Sequence, residues 1–166
     1  MNATVTAPDG GRIHDLIVSV NPMRPWEEAL EGIGSCAQNE TSVRKIGGHY
    51  PPQDDGTREC NVVLVNFGKT IPTGQEALAW AKLHNLSSAK PRVVFAIGEH
   101  KQCLPDELGL PDLAIASTEL SLVDGQNQVC SLWYIASDRY VFNVEFDDVW
   151  NEKVWFAFEN DAANST

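Results

Sequence analysis

The stretch from Asn61 to Leu86, NVVLVNFGKTIPTGQEALAWAKLHNL, constrains the fold of this chain more than any other part of the sequence. Its opening run is apolar and rich in β-branched residues and ends before Gly68, a pattern typical of a buried strand. Thr73 is a candidate N-cap with Glu76 three residues later, which predicts a helix that starts near Gly74. The stretch therefore predicts a strand, a turn and an amphipathic helix.

The residues before this stretch predict one strand, one helix and one irregular connection. Apolar residues alternate imperfectly over residues 13–20, which indicates a strand. Pro25 suits the first position of a helix and two acidic residues follow it, so a short helix is predicted to stop at Gly32 or Gly34. Residues 35–60 are rich in Gly, Pro, Asp and Asn and are predicted to be an irregular loop.

The residues after the stretch predict a third helix and then strands. Pro91 suits the start of a helix with the sequence PRVVFAIGEH, whereas residues 101–112 contain two prolines and are predicted to form a loop. The last third of the chain is typical of a β-meander with turn residues at each break. One buried face of its last two strands is predicted to hold Phe142, Val144, Phe146, Val154, Phe156 and Phe158.

This order of elements predicts an α+β fold, with two or three helices packed on a mostly antiparallel sheet and a C-terminal β-meander. A length of 166 residues suits a single domain, residues 1–166. Within it, residues 1–11 and 161–166 are predicted to be flexible ends. The oligomeric state is left open.

Charge and hydropathy narrow the classes of partner. The formal charge is −11, from 23 acidic and 12 basic residues, and this excess of acids argues against nucleic acid as a partner. No stretch approaches the ~18 consecutive apolar residues of a membrane span, so no membrane partner is expected. The first residues lack the pattern of a secretory signal, and we therefore expect a soluble, cytoplasmic protein.

Several segments resemble a group of uncharacterised bacterial proteins: NVVLVNFGK, EALAWAKLHNL, AKPR and VEFDDVWNEKVWFAFE. Those proteins share a strand, an "EAL" helix, a "TPREL" helix start and a closing pair of aromatic strands. The resemblance covers about residues 60–159, with a weaker echo from Trp26 to Tyr50, and implies a bacterial or phage origin without an assigned activity. Where those proteins have Thr-Pro-Arg-Glu, this chain has KPRV at residues 90–93, so the role of that acid is not carried over.

The C-terminal part also resembles the C-type lectin-like fold and its formylglycine-enzyme relatives. In those proteins a WND-like element runs into a strand that ends in an acid, and here Trp150, Asn151 and Glu152 precede a strand that ends at Glu159. The cysteines that flank this hairpin in lectins are absent. The resemblance therefore implies a possible lectin-like arrangement of the fold and no activity.

Two regions contain candidate ligand-binding residues. The turn after the predicted strand at Phe146 has oxygen donors of the kind that Ca²⁺ takes, but it lacks the spacing and glycine of an EF-hand, so no metal site is predicted. The loop before Cys60 has an imidazole and a phenol that are free to meet a ligand, as loop residues generally are. The predicted ligand-binding residues are His49, Tyr50, Asp147, Asp148, Trp150, Asn151 and Glu152.

Histidine and cysteine residues offer a second kind of site. The four cysteines form no CxxC pair and are predicted to be free, mostly buried thiols: Cys36, Cys60, Cys103 and Cys130. His100 and Cys103, with Cys130 further along the chain, could contribute to a zinc site, and His100 and Cys103 could form a nucleophilic pair. A fourth metal ligand and an orienting third group are both missing from the sequence pattern.

Phosphate-binding glycine loops, nucleophile elbows, HExxH and kinase motifs are absent from the sequence. We therefore predict a non-enzymatic binding module for an unknown protein or small ligand, with no cofactor and no catalytic residues. One alternative is a small hydrolase or transferase that uses Cys103 and His100. Another is an acidic inhibitor that mimics nucleic acid.

Overall fold

The computed structural model describes residues 4–34, residue 37 and residues 41–164. The predicted thiol of Cys36 and the outermost residues of both predicted flexible ends lie outside these ranges. The helices are α1 (Trp26–Ile33), α2 (Thr41–Ile46), α3 (Gln75–Leu83), α4 (Pro91–His100) and α5 (Leu104–Leu108). The strands are β1 (Arg12–Val20), β2 (Arg58–Asn66), β3 (Ser87–Ser88), β4 (Leu113–Ala116), β5 (Ser121–Val123), β6 (Gln126–Ile135), β7 (Asp138–Glu145) and β8 (Val154–Glu159). Two 3₁₀ turns cover Gly47–His49 and Asp161–Asn164.

The eight strands of the described residues form one sheet in the order β1-β2-β8-β4-β6-β5. Strand β3 pairs with β8. Strand β6 pairs with β4 along one edge and with β7 along the other. In this part of the chain β4 and β8 run parallel and every other pair is antiparallel. The predicted α+β class with a mostly antiparallel sheet is therefore confirmed.

The final strand departs from a simple meander. Strands β6 and β7 form the expected hairpin, but β8 crosses back and lies between β2 and β4. Its side chains alternate between the two faces of the sheet, and all six of its residues are buried. This central position matches its nearly continuous apolar sequence, which is typical of a strand covered on both faces.

Helices cover both faces of the sheet and create two hydrophobic clusters. Helices α1 and α4 cover the first face, and α4 is buried from Pro91 to Gly98. Helix α3 covers the second face, where several aromatic rings contact one another. The members of that cluster include Phe67, Phe146, Trp150, Phe156 and Phe158. Within the described residues, no helix is both long enough and apolar enough to cross a membrane.

The predicted buried face of the last strands agrees with this second cluster at four positions. Phe146, Val154, Phe156 and Phe158 are buried there, and Val144 is partly buried against it. Phe142 is partly exposed instead, with its ring 6.3 Å from that of Trp133. The centre of this face is therefore shielded from solvent, whereas its part on the β6–β7 hairpin is partly exposed.

The start of α3 shows how packing modifies a local signal. The helix begins at Gln75, as predicted, and the Thr73 hydroxyl accepts a hydrogen bond from the Gln75 amide at 3.3 Å. The predicted capping box with Glu76 does not form, because Gly74 occupies the cap position and no side chain caps the helix. A Cβ atom on Gly74 would lie 2.5 Å from the Phe146 carbonyl, so close approach of the two segments requires glycine here.

Two regions that were predicted to be irregular contain short elements. Helix α2, a 3₁₀ turn and the beginning of β2 lie within residues 35–60. Helix α5 lies within residues 101–112, where the sequence predicted a loop. That prediction was wrong because Pro105 lies in the first turn of α5, where proline is tolerated, and Gly109 ends the helix with a φ of 69°.

Candidate functional site

Two adjoining cavities lie along α4, and we call them together the Arg92 cleft. The Tyr50 cavity has a volume of about 260 Å³ and is lined by residues that include Tyr50, Lys90 and Glu119. The Glu99 cavity has a volume of about 280 Å³ and is lined by residues that include Arg24, Glu99 and His100. Both cavities are lined by Val20, the last residue of β1, and by Arg92.

Arg92 lies in the first turn of α4, and its side chain belongs to the buried part of the molecule. Only 9% of the residue is exposed. Its guanidinium donates hydrogen bonds to the carbonyl oxygens of Arg24 and Tyr50, the second at 2.9 Å. Burial lowers the pKa of Arg92 from its ordinary value. No ion pair of the described residues includes this guanidinium, so a buried cation remains without an acidic partner.

Trp26 and Tyr50 form an aromatic wall next to Arg92. The two rings are stacked, with centroids 5.7 Å apart and planes 9° from parallel. The Trp26 indole N–H donates to the Val43 carbonyl at 2.9 Å, which fixes α2 against α1. A Cβ atom on Gly47 would lie 2.7 Å from the indole ring, so only glycine lets the 3₁₀ turn lie this close to Trp26.

The Tyr50 hydroxyl connects the aromatic wall to the segment before β5. It donates a hydrogen bond to the Glu119 carbonyl at 3.3 Å. Burial, and then the negative charge of Glu119, raise the pKa of Tyr50 to about 12. The phenol is therefore neutral at physiological pH and acts as a hydrogen-bond donor.

Charged side chains of both signs line the cleft. Four of the 12 basic residues of the chain line it: Arg24, Arg58, Lys90 and Arg92. Arg24 is paired with Glu99 at 2.6 Å and Arg58 with Glu159 at 3.0 Å. Lys90, like Arg92, belongs to no ion pair of the described residues. Two further acidic residues, Asp55 and Glu119, also line the cleft and oppose these positive charges.

The predicted ligand-binding residues lie in two separate places. His49 and Tyr50 line the Tyr50 cavity, and their role in ligand binding stays a prediction. The acidic turn between β7 and β8 is built from residues with internal partners. Asp147 accepts hydrogen bonds from the side-chain amides of Gln75 at 2.7 Å and Asn127 at 2.9 Å, and these bonds hold its pKa below the usual value.

The remaining residues of this turn also bond within the protein. The Asp148 carboxylate accepts from the Val149 amide at 2.9 Å, and the Asn151 side chain accepts from the Lys153 amide at 2.8 Å. Trp150 is 7% exposed and donates its indole N–H to the Phe146 carbonyl at 2.9 Å. The Glu152 carbonyl accepts from the Asn66 side chain at 2.8 Å. These contacts hold the turn to the sheet, and its role in ligand binding stays a prediction.

The candidate histidine and cysteine residues are not joined into one site. His100 lines the Glu99 cavity, with its Nε2 3.7 Å from Glu99, whereas Cys103 is exposed and Cys130 is fully buried. No hydrogen bond of the described residues links Cys103 to His100. The same part of the chain contains no group of three or more His, Cys, Asp or Glu residues placed to hold a metal ion.

Arg92 is the residue that the sequence reasoning missed. The signal for it is a single base within the otherwise apolar run from Pro91 to Gly98. Arginine is almost never fully buried without a partner, so such a position indicates either a hidden acid or an external anion.

Comparisons of this chain with protein-family models, with curated proteins and with solved structures gave no match. The resemblances to the bacterial group and to the C-type lectin-like fold stay predictions.

Proposed function

We propose that this chain is a non-enzymatic binding module that takes a small ligand into the Arg92 cleft. The observation that carries this proposal is the concave Tyr50 cavity, which combines apolar walls with convergent polar groups. Its apolar walls come from Pro22, Pro51 and Val93, and its polar groups include Lys90 and Arg92. Binding sites for small molecules have this composition and volumes of ~300–1,000 Å³, and two adjoining cavities of about 260 and 280 Å³ approach that range.

Backbone contacts support a preformed cleft. The amides of Thr118 and Glu119 both donate to the Ala89 carbonyl at 3.0 Å. The Thr118 hydroxyl accepts from the Ala89 amide at 2.8 Å and donates to the Ala157 carbonyl of β8 at 2.7 Å. On the other side, the Gln53 amide donates to the Pro22 carbonyl at 2.9 Å. Walls held in this way lower the entropic cost of binding.

Two polar groups of the cleft, Tyr50 and Arg92, suit binding and not proton transfer. General acid–base catalysis needs groups with pKa values near the working pH. Tyr50, with its pKa raised to about 12, stays protonated, and an arginine stays charged. These groups suit the holding of a ligand. The three described cysteines are free thiols, which is consistent with the proposed cytoplasmic location.

The test is a two-dimensional NMR screen of the ¹⁵N-labelled chain with a fragment library that contains neutral, anionic and cationic compounds. We expect bound fragments to shift the amide signals of Val20, Tyr50 and Val93. Tyr50→Ala should weaken these fragments, and Asp147→Asn should serve as a matched control because it alters the distant turn. If no fragment perturbs the cleft, the proposal is wrong. If shifts concentrate at residues 147–152, the acidic turn is the site instead.

A further inference from the structure

We infer that the ligand of the Arg92 cleft carries a carboxylate and that the Arg92 guanidinium binds it. The inference rests on the proposed function and names the class of ligand. The starting observation is the buried positive charge of Arg92. More than nine-tenths of Arg92 is buried, and no ion pair of the described residues includes its guanidinium.

The internal partners of Arg92 satisfy only part of its capacity. A guanidinium has five N–H donors, and two of the described hydrogen bonds use it as donor. Both acceptors are neutral carbonyl oxygens, and the Trp26 ring below adds a cation–π contact at 5.7 Å. A buried cation is costly unless an anion accompanies it. The cavities on both sides of Arg92 provide space for that anion.

Two features of the cavity indicate a carboxylate and not a phosphate, whereas the planar fork of arginine fits the oxygens of both anions. Asp55 and Glu119 also line the Tyr50 cavity, so a doubly charged anion would be repelled more strongly than a singly charged one. The walls of Pro22, Pro51 and Val93 suit the apolar body of a small organic acid.

Lys90 provides a second positive charge at the same cavity. It precedes α4, lines the Tyr50 cavity and belongs to no ion pair of the described residues. A lysine at this position contributes as a point charge, whereas Arg92 provides the directional hydrogen bonds. We therefore assign the specificity for the anion to Arg92 and a smaller, salt-dependent attraction to Lys90.

The experiment uses paired probes that differ in charge and not in shape: benzoate with benzamide, and acetate with acetamide. Inorganic phosphate serves as the competing anion. NMR titration follows the Nε–H signal of Arg92 and the Val93 amide. We expect each carboxylate to bind at least about tenfold more tightly than its amide, since one charge-assisted hydrogen bond is worth about that factor. Phosphate should bind more weakly than benzoate.

Two variants separate the roles of the charges. Arg92→Gln should lower the affinity for benzoate by about tenfold or more. Because that variant removes internal contacts and could unfold the chain, Lys90→Gln is the second variant, with an expected loss of about two- to fivefold that shrinks at high salt. Lys82→Gln on α3 is the matched control and should leave the affinity unchanged.

Each contrary result has a distinct meaning. If the amides bind in the cleft as tightly as the carboxylates, the ligand class is wrong and the proposed function stands. The same holds if fragments occupy the cleft but neither acetate nor benzoate does, or if phosphate binds more tightly than benzoate. If no probe or fragment of any charge perturbs the cleft, both proposals are overturned.

Discussion

The Arg92 guanidinium lies over the indole of Trp26, with its central carbon 5.7 Å from the ring centroid. This contact joins the first turn of α4 to the first residue of α1. The indole also contacts Tyr50, stacked at 5.7 Å, and Phe95, edge-on at 4.9 Å. A single tryptophan therefore contacts the unpaired cation, the wall of the cleft and the hydrophobic core. Changes at Trp26 should be transmitted to the cleft.

Gly47 and Gly48 provide a matched pair for this packing. A Cβ atom on Gly47 would lie 2.7 Å from the Trp26 ring, whereas one on Gly48 would meet nothing within 4 Å. We expect Gly47→Ala to lower the free energy of unfolding by about 1–3 kcal/mol, because the indole must shift. Gly48→Ala should be neutral or stabilise by up to about 1 kcal/mol through the unfolded state. Urea unfolding measures both, and equal effects would contradict the described packing.

Arg58 and Glu159 form an ion pair with very unequal exposure. Their side chains are 3.0 Å apart, with 47% of Arg58 but only 8% of Glu159 exposed. Arg58→Met should therefore cost about 1–3 kcal/mol, because it leaves a buried carboxylate without its partner. Glu159→Gln should cost less, since the freed guanidinium can reach water. Chemical denaturation of both variants tests this order, and a larger loss for Glu159→Gln would refute it.

Stability should fall at high pH through the Tyr50 phenol. Its pKa is raised from 10.0 to about 12, so the folded state resists deprotonation. The stability from this group is complete below pH 10.0 and is lost as the pH rises towards about 12. Over that window the free energy of unfolding should decline more steeply for the wild type than for Tyr50→Phe.

The buried thiols of Cys60 and Cys130 have their pKa values raised to about 12 as well, but they are present in both proteins and cancel in the comparison. Urea unfolding at a series of pH values provides the slopes. Parallel slopes for the two proteins would show that Tyr50 ionises freely.

Calcium should not stabilise the chain. Ca²⁺ takes 6–8 oxygen ligands, roughly, and the Asp147 carboxylate is already bonded to Gln75 and Asn127. We expect the melting temperature to be the same with Ca²⁺ and with EDTA. A ligand that binds only the folded state raises that temperature by mass action, so an increase with Ca²⁺ would contradict this expectation and indicate a cation site. Gln75→Ala, which frees one carboxylate oxygen, is the informative variant.

The strongest predictions from sequence were those based on local signals. Pro25 and Pro91 each precede or begin a helix, and Gly34 follows the end of α1. The same holds for the strand that becomes β2. Helix α5 was not predicted because two prolines within residues 101–112 argue against a helix, although Pro105 lies in the first turn, where proline is tolerated.

The residues of the candidate site also differ in whether the sequence alone could suggest them. His49 and Tyr50 could be proposed because a loop rich in glycine and proline often presents side chains to a ligand, and both line the cleft. Arg92 could not be assigned to the site from the sequence, because the argument for it depends on the absence of an ion-pair partner among the described residues. Whether an acid lies beside a buried base is decided by residues from the segment before α1, the loop at Tyr50 and the segment at Glu119, and these meet only in three dimensions.

The sequence by itself determined the longer helices and strands of this protein, because prolines and apolar periodicity act within a few residues of one another. Only the tertiary structure decided that β8 lies between β2 and β4 and that the start of α4 lies beside Val20 and Tyr50. Strand order and cavities depend on contacts between residues distant along the chain, and the side chains at those contacts are chosen by shape and burial. Periodicity records which face of an element is buried but not which element covers it.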